Sequence, residues 1–284
     1  MLERAYYLVV DELTGRRLVI RPGAIGDFIV SLPAIECLRA GYLEVWTATD
    51  NVPLVRFADR AVSISSTGLD TLGYFGTDVP VVRRLRSFDS IVSWYGANRP
   101  EFRRLCGELG LPVQFLPALP PEGCGVHAVE FYLEQARSIT HRACSGLPRI
   151  ECAARREKFA VIHPFSGSPK KNWPIDRYRE LAQRLEKLLP VKWCAGPEEE
   201  LPGAVRIENL YDLACWLSSA SLYVGNDSGI THLAAAAGAP VVAIFGASDP
   251  NVWAPSGPNV EVVSASSLQA IQVNSVYARI SRLL

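Results

Sequence analysis

The sequence predicts an α/β protein made of two parallel, doubly wound halves. Short apolar runs alternate with helical segments along the chain, which is typical of parallel strands joined by helices. The length of 284 residues suits about two domains of roughly 150 residues each. Hydrophobic residues make up 49% of the chain and charged residues 20%, a globular composition with ample apolar material for a core. We therefore expect two Rossmann-like halves of similar size.

The first half begins with a strand, a glycine-containing turn and a helix. The segment "RRLVIRPGAIGDFIVSLPAIECLRA" predicts a strand at Leu18–Ile20, a turn at 22–27 and a helix from about Phe28, with Asp27 as its N-cap. Pro33 falls inside this helix and is expected to kink it or to move its start. Further strands are predicted in "LEVWTATD" and at 62–64, 79–82 and 90–94, and helices in "RPEFRRLCGELG" and "AVEFYLEQARSIT".

The pattern breaks between Thr140 and Lys158, where we predict an interdomain linker. This divides the chain into an N-terminal domain at 1–153 and a C-terminal domain at 154–284. In the second domain Pro174 is expected at the first helical position of "PIDRYRELAQRLEKLL". Strands are predicted in "KFAVIHP", "VKWCAG", "VRIE", "SLYVGND", "VVAIFG" and "VEVVS", and further helices in "YDLACWLSSA", "ITHLAAAAG" and "VNSVYARISRLL".

Composition excludes several other classes of protein. Lys+Arg and Asp+Glu both count 29, so no excess of positive charge indicates a nucleic-acid partner. The chain has no run of about 18 apolar residues that predicts a transmembrane helix, and its N-terminus lacks the pattern of a signal peptide. The seven cysteines form no C-x-x-C pair, so we expect reduced thiols in a cytoplasmic protein, with neither a zinc site nor a disulfide framework.

The stretch "VGNDSGITHLAAAAGAPVVAIFG" places polar residues between a strand and a helix. Asp227 ends the predicted strand, and Ser228 and Gly229 start the helix, where free amides and the helix dipole favour an anion. Gly229 would let a ligand approach the backbone closely, and His232 lies one turn further on. The alternative is that Asp227 only caps the helix and His232 packs in the core.

A second polar loop, "HPFSGSPKKNWP", also follows a strand. Hydroxyls at Ser166 and Ser168, Gly167 and the ammonium group of a lysine can hold phosphate oxygens at such a position. A lysine here would also stabilise the charge that develops on a departing diphosphate. The alternative is a solvated loop in which Lys170 and Lys171 lie on the surface.

The third candidate is the turn "RPGAIGD" after the first strand. Its glycine spacing is not the G-x-G-x-x-G dinucleotide fingerprint, so a dehydrogenase is disfavoured. Asp27 is placed either to act as a general base or simply to cap the helix.

Taken in order, the three segments resemble the heptosyltransferase family, glycosyltransferase family nine. Members carry a G-D turn and an "LPA" helix, as in "GAIGDFIVSLPAI" here. They carry "HP", a Gly/Ser-rich loop and "K-x-WP", as in "VIHPFSGSPKKNWP". They also carry "DSG" or "DTG" before "H-L-A-A-A-x-G-x-P", as in "NDSGITHLAAAAGAPVVAIFGASDP". The resemblance covers the N-terminal turn and nearly all of residues 158–255, while residues 42–150 match little.

The resemblance implies a GT-B fold, in which two Rossmann-like domains face a cleft. The acceptor lies on the first domain and the nucleotide sugar on the second, and the last helix, at about 273–284, packs back on the first domain. The family is inverting and uses neither metal nor cofactor. Its members transfer sugars in lipopolysaccharide core assembly, which implies ADP-heptose as the donor and a glycan or glycolipid acceptor, at the inner membrane surface in the latter case.

The resemblance also assigns roles to single residues. Asp27 matches the proposed catalytic base. The donor-site matches are Lys171 and Ser166 at the phosphates, with Gly167 in the same loop, Glu198 at the ribose, and Asp227, Ser228, Gly229 and His232 in the donor-binding motif. Glu199 or Glu200 would replace Glu198 after a small loop shift.

Two other points stay open in the sequence. The acceptor side is the divergent part of the chain, so a non-catalytic nucleotide-sugar-binding relative and a GT-B-type epimerase remain alternatives. Basic residues that would meet a phosphorylated glycolipid, or simply be solvated, are Arg83, Arg84, Arg86, Arg142, Arg149, Arg155, Arg156 and Lys158.

Overall fold

The computed structural model describes residues 14–73, 79–153, 155–246 and 248–284. Contacts between Cα atoms divide the chain into two compact units that alternate along the sequence. Unit 1 comprises the described residues of Met1–Pro22, Ile35–Leu119 and Gln135–Ala143, and unit 2 comprises those of Gly23–Ala34, Pro120–Glu134 and Cys144–Leu284. Each unit contains one parallel sheet. The predicted division at 153/154 into contiguous domains stays a prediction.

The sheet of unit 1 has five parallel strands in the order β3-β2-β1-β4-β5. Its strands are β1 (Arg16–Arg21), β2 (Tyr42–Thr47), β3 (Arg60–Ser63), β4 (Ser90–Ser93) and β5 (Val113–Phe115). The α-helices in this part of the chain are α1 (Ile25–Cys37), α2 (Pro80–Leu85), α3 (Pro100–Glu108) and α4 (Ala128–Thr140). A core that includes Leu18, Trp46, Val82 and Ile91 packs between strands and helices.

The sheet of unit 2 also has five parallel strands, in the order β10-β9-β8-β6-β7. Its strands are β6 (Ala160–His163), β7 (Val191–Trp193), β8 (Leu222–Asn226), β9 (Val241–Phe245) and β10 (Val260–Ser264). The α-helices here are α5 (Ile175–Leu185), α6 (Leu210–Ser219), α7 (Gly229–Ala236), α8 (Pro250–Trp253) and α9 (Val273–Ile280). The expectation of two Rossmann-like halves is therefore confirmed.

Each strand order contains one point at which the winding of the sheet reverses. In unit 1 the chain winds outward from β1 in one direction to β3 and then returns to place β4 on the other side. In unit 2 the reversal lies between β6 and β8. Ligands of open α/β sheets bind beyond the carboxyl ends of the strands at such a switch point. The loops after β6 and β8 are therefore the first place to look for a site in unit 2.

Two predicted strands are not strands in the structure. The apolar run at 79–82 contains the start of α2, because Pro80 suits the first turn of a helix and Val81, Val82 and Leu85 are buried at helical spacing. In "VRIE" only Val205 pairs, through a single bridge to Cys194. The three-residue strand β5 was not predicted, since a run that short has no readable period.

Helix starts also differ from the prediction. Helix α1 begins at Ile25, so Asp27 lies in its first turn and is not its N-cap. The helix continues through Pro33 to Cys37. Pro174 is the N-cap of α5 and not its first helical residue. These shifts of one to three residues are of the size by which helix ends commonly vary.

The last predicted helix is present, and the segment predicted as a linker contains little regular structure. Residues 141–153 and 155–157 have no helix or strand. Helix α9 buries Val273, Val276 and Ile280 in the core of unit 2. The apolar face of α9 is thus used within its own unit, and its crossing to the first domain stays a prediction.

The cysteines correct one expectation. Cys37 and Cys144 each have their sulfur in a disulfide, so the prediction of reduced thiols throughout is wrong for these two. They are far apart in the sequence, where no C-x-x-C type of spacing marks them. The free thiols are Cys106, Cys124, Cys152, Cys194 and Cys215.

Candidate functional site

The two polar loops of unit 2 meet at the switch point of its sheet. The loop after β6 carries Lys171, and Asp227 directly follows β8. The Lys171 ammonium donates to Asp227 Oδ2 over 2.7 Å. The carboxylate side chain is only 10% exposed and the lysine 42%. The structure therefore brings these two predicted site residues together, whereas the neighbouring Lys170 is exposed.

Ser228, and not Asp227, caps helix α7. The Ser228 hydroxyl accepts the backbone N–H of Thr231 at 3.3 Å. Asp227 is free of the capping role because it pairs with Lys171, so the interpretation of Asp227 as a simple cap is wrong. The remaining amides of the first turn of α7 and the positive end of its dipole lie at the same strand end. This is where the sequence predicted an anion site.

Gly229 is required by a neighbouring helix. A Cβ atom at Gly229 would lie 2.8 Å from Ile25 Cβ and 3.0 Å from the backbone nitrogen of Gly26. A Cβ at Gly26 would in turn lie 3.5 Å from Gly229 Cα. The first turn of α1, which belongs to unit 2, therefore packs against the first turn of α7. Asp27, adjacent to Gly26, is brought to this side of unit 2.

The same contact explains the surroundings of His232. A Cβ at Gly26 would lie 3.3 Å from His232 Cδ2, and the histidine is 6% exposed. The pKa of His232 is lowered to about 4, chiefly by burial; Asp227 opposes this shift, while His127 and Lys171 add to it. At neutral pH His232 is consequently an uncharged imidazole. It is buried, as the alternative interpretation expected, yet it lies within electrostatic range of Asp227 and Lys171.

Asn226 holds the two loops in register, a role that the sequence did not reveal. Its Oδ1 accepts the backbone N–H of Trp173 and the hydroxyl of Tyr178, both at 2.9 Å. Its Nδ2 donates to the carbonyl of Pro164 at 2.8 Å. The side chain is fully buried. Asn226 thus fixes both ends of the loop that carries Lys171, and the only signal for it was its place before Asp227.

Ser166 and Gly167 lie in the loop between those ends. The Ser166 hydroxyl is 2.7 Å from the Ser168 carbonyl and 2.7 Å from Asn172 Oδ1, so it shapes the loop. Gly167 is exposed, and a Cβ there would meet nothing within 4 Å. A contact of either residue with phosphate stays a prediction.

Of the three consecutive glutamates after β7, Glu199 has a carboxylate that is fixed by hydrogen bonds. Glu198 and Glu200 are exposed. Glu199 Oε2 accepts the backbone N–H of Gly196 at 2.6 Å and lies 3.1 Å from His163 Nε2. Burial alone would raise the pKa of Glu199, but the hydrogen bonds from His163 and Gly196 outweigh it and lower that pKa. The ribose contact predicted for Glu198 stays a prediction, and among these three residues Glu199 is the one with a carboxylate that hydrogen bonds hold in place.

The carboxyl edge of the sheet in unit 1 carries different groups. Hydroxyls of Thr49 and Ser63 are 2.7 Å apart, and those of Ser63 and Ser65 are 2.8 Å apart; Thr49 and Ser65 are exposed and Ser63 is half-buried. Arg99 stacks on the Tyr95 ring and donates to its hydroxyl at 2.9 Å. These side chains offer three hydroxyl groups and a guanidinium for hydrogen bonding.

Several of the basic residues considered for lipid binding have internal partners. Arg84 forms an ion pair of 2.5 Å with the buried Glu44, and Arg86 donates to the carbonyl of Leu109. Arg142 and Arg156 also donate to backbone carbonyls. Within the described residues, no helix is both long and apolar enough to cross a membrane.

The fold of the chain is an α/β fold of the GT-B type. A lysine and a helix start lie at the switch point of a parallel sheet, an arrangement suited to a diphosphate. The solved structure of a glycosyl transferase family 9 protein from Veillonella parvula DSM 2008 matches with a TM-score of 0.76 and 16% identity, over 96% of this chain and 98% of that one. E. coli ADP-heptose lps heptosyltransferase II matches with a TM-score of 0.71 and 19% identity, over 94% and 98%. E. coli heptosyltransferase WaaC with ADP matches with a TM-score of 0.69 and 18% identity, over 95% and 100%.

The family follows from the sequence match. The model of glycosyltransferase family 9 (heptosyltransferase) matches residues 123–277. The lipopolysaccharide heptosyltransferase 3 of E. coli strain K12 is 21% identical over 281 residues, which cover 80% of this chain and 81% of that protein. The chain belongs to glycosyltransferase family 9 and is a glycosyltransferase, as its resemblance to that family predicted.

Proposed function

We propose that this protein is an inverting, metal-independent heptosyltransferase that moves heptose from ADP-heptose to a glycan or glycolipid acceptor. The observation that carries the proposal is the Lys171–Asp227 pair beside the start of α7 at the switch point of unit 2. Similar proteins support the choice of sugar and nucleotide, since one is named a lipopolysaccharide heptosyltransferase and another was solved with ADP.

The donor diphosphate would lie between Lys171 and the first-turn amides of α7. When the bond between the anomeric carbon and the phosphate oxygen breaks, the electron pair stays on the departing ADP. The Lys171 ammonium and the amides stabilise that added negative charge in the transition state. Before the donor binds, Asp227 holds the ammonium in place at 2.7 Å. His232, uncharged at neutral pH, would contribute hydrogen bonding and no net charge.

Asp27 is the proposed general base. Its carboxylate would take the proton of the acceptor hydroxyl while that oxygen attacks the anomeric carbon opposite the leaving phosphate. A single displacement of this kind inverts the anomeric configuration. Its place in the first turn of α1, whose Gly26 contacts Gly229, supports the assignment because the base and the donor residues then belong to the same unit.

Metal independence is part of the proposal. Lys171 and the helix amides would stabilise the negative charge of the leaving diphosphate. In other sites a divalent cation stabilises that charge. No cofactor is proposed, and the nucleotide sugar is a substrate. Within this scheme Glu199 takes the ribose contact that the family resemblance assigned to Glu198.

The proposed acceptor is a lipopolysaccharide-type glycolipid at the cytoplasmic face of the inner membrane. Support comes from the name of the similar E. coli protein. The hydroxyls of Thr49, Ser63 and Ser65 at the carboxyl edge of unit 1 suit a hydroxyl-rich glycan better than a highly charged ligand.

Calorimetric titration followed by a transfer assay tests the proposal. The purified chain is titrated with ADP, UDP, GDP and CDP, and is then mixed with ADP-heptose and a heptose-deficient lipopolysaccharide acceptor. We expect selective binding of ADP and transfer that persists in excess EDTA, with an inverted anomeric centre in the product by NMR. Selectivity for another nucleotide would change the donor. Loss of transfer in EDTA, restored by a metal, would overturn metal independence, and isomerised nucleotide sugar without transfer would indicate an epimerase.

A further inference from the structure

His163 is a buried histidine to which the sequence assigned no role. It ends strand β6 and is 2% exposed. Its Nε2 lies 3.1 Å from Glu199 Oε2. Among the described residues, its buried Nδ1 has no hydrogen-bond partner. An apolar residue would fill this position without leaving a polar atom unpaired, so the histidine needs an explanation.

The geometry assigns the proton of the neutral ring. A proton on Nδ1 would be buried without an acceptor, whereas a proton on Nε2 points at the Glu199 carboxylate. The favoured form therefore carries the proton on Nε2 and donates it to Oε2. His163 thus acts as a single, fixed donor to one oxygen of Glu199.

Glu199 is oriented from two directions. The same oxygen, Oε2, accepts the backbone N–H of Gly196 at 2.6 Å. The Glu199 backbone carbonyl accepts from Arg206 at 2.6 Å. Neither hydrogen bond to the carboxylate uses Oε1. Hydrogen bonds therefore hold the carboxylate through Oε2. Oε1 takes no part in these two bonds, and the Glu199 side chain is 27% exposed.

The position of this pair in the sheet indicates what Oε1 would meet. Strand β7, which precedes Glu199, is hydrogen-bonded to β6, and β6 borders the switch point. In nucleotide-binding α/β sheets, an acidic side chain at the end of the neighbouring strand reads the ribose hydroxyls, while the phosphates lie at the switch.

We propose that His163 is a positioning residue that fixes Glu199 Oε2 through its Nε2–H, so that Oε1 accepts a hydroxyl of the donor ribose. This inference rests on the proposed function of the same site, because it takes the donor to be a nucleoside diphosphate sugar. His163 touches no substrate itself. It acts through Glu199 on the discrimination of ribose from sugars that lack those hydroxyls.

Calorimetric titration with ADP and with 2′,3′-dideoxy-ADP tests the proposal on the full chain. We expect the natural sequence to bind ADP at least about tenfold more tightly, as for a hydrogen bond to a charged group. His163→Leu should remove most of this preference by weakening ADP alone. His163→Gln should retain much of it, because its amide N–H can replace Nε2–H. A merely structural role would weaken both ligands equally.

Glu199→Ala provides the second line of evidence should His163→Leu fold poorly. It should abolish the same preference, and Glu200→Ala, at an exposed neighbour, should leave it intact. In the double variant that combines His163→Leu with Glu199→Ala, the preference for ADP over the dideoxy analogue should equal that of Glu199→Ala alone. Equal binding of ADP and the dideoxy analogue by the natural sequence, or an unchanged preference in His163→Leu, overturns the inference while ADP binding upholds the proposed function. No binding of any nucleoside diphosphate overturns both.

Discussion

The carboxyl edges of the two sheets in this chain hold their polar side chains in different ways. In unit 2 ionisable side chains are paired at fixed positions, as in Lys171–Asp227 at 2.7 Å and His163–Glu199 at 3.1 Å. In unit 1 the edge carries hydroxyls, such as those of the exposed Thr49 and Ser65, which both lie within hydrogen-bonding distance of the Ser63 hydroxyl. The first arrangement is preorganised for an ion, whereas the second consists mainly of hydroxyl groups that can donate or accept.

This difference matches the two kinds of substrate in a sugar transfer. A nucleoside diphosphate presents the same charges whichever sugar it carries, so a rigid site oriented by buried partners serves it well. Acceptors differ mainly in their hydroxyl groups, which hydroxyl side chains can bind with little change of charge. The comparison predicts that substitutions in unit 2 affect chemistry and donor binding far more than changes at the edge of unit 1.

The largest expected effect is on turnover in Asp27→Asn. This change keeps the shape of the side chain in the first turn of α1 but removes the proposed base, so kcat should fall by about 10³-fold, within the usual range for a general base. Donor affinity by calorimetry should stay within about twofold. Stability should change little, since a first-turn carboxylate contributes only about 0.3–1 kcal/mol through the helix dipole.

Asp176→Asn is the matched control for that experiment. Asp176 also lies in the first turn of a helix, α5, but its side chain is 87% exposed and pairs with Arg179. Its turnover should equal that of the natural sequence. Normal transfer by Asp27→Asn would show that the base lies elsewhere and that Asp27 serves only the helix.

The next effect in size is on donor affinity, and it separates two adjacent lysines. Lys171→Ala removes a charge-assisted contact to the diphosphate, so ADP affinity should fall about 10- to 100-fold. Lys170→Ala, at an exposed position, should change it less than twofold. Calorimetry at fixed ionic strength measures both. Equal effects of the two variants would mean that general surface charge, and not the Asp227-held ammonium, attracts the nucleotide.

The sequence predicted unit 2 better than it predicted unit 1, because the signals for unit 2 lie within short, contiguous segments. The motifs around Lys171 and Asp227 are short and contiguous, and parallel strands place their carboxyl ends at one edge, so the meeting of the two loops could be foreseen. In unit 1 the run at 79–82 was too short to distinguish strand from helix, and Pro80 decided for helix. Strand β5, at Val113–Phe115, was shorter still.

Within the site, the sequence missed interactions that depend on distant residues. No spacing rule reveals that Asn226 bonds to Trp173, or that His163 selects Glu199 among three consecutive glutamates. The reason given for Gly229 was also incomplete. It was predicted to admit a ligand, but its missing Cβ makes room for the first turn of α1.

The smallest expected effect tests this last point, through the stability of Gly229→Ala. Alanine has the better helix propensity by about 1 kcal/mol, so on local grounds the change should stabilise α7. The structure predicts the opposite sign. The new Cβ would lie 2.8 Å from Ile25 Cβ and 3.0 Å from the backbone of Gly26, and backbone must move to relieve the overlap. We expect a net loss of about 1–3 kcal/mol. At about 2–4 °C per kcal/mol, thermal denaturation followed by circular dichroism will detect it.

Gly167→Ala, where a Cβ would meet nothing within 4 Å, should change stability by less than about 0.5 kcal/mol. A more stable Gly229→Ala variant would mean that α1 and α7 are not packed in contact, and the placement of Asp27 beside the donor residues would lose its support.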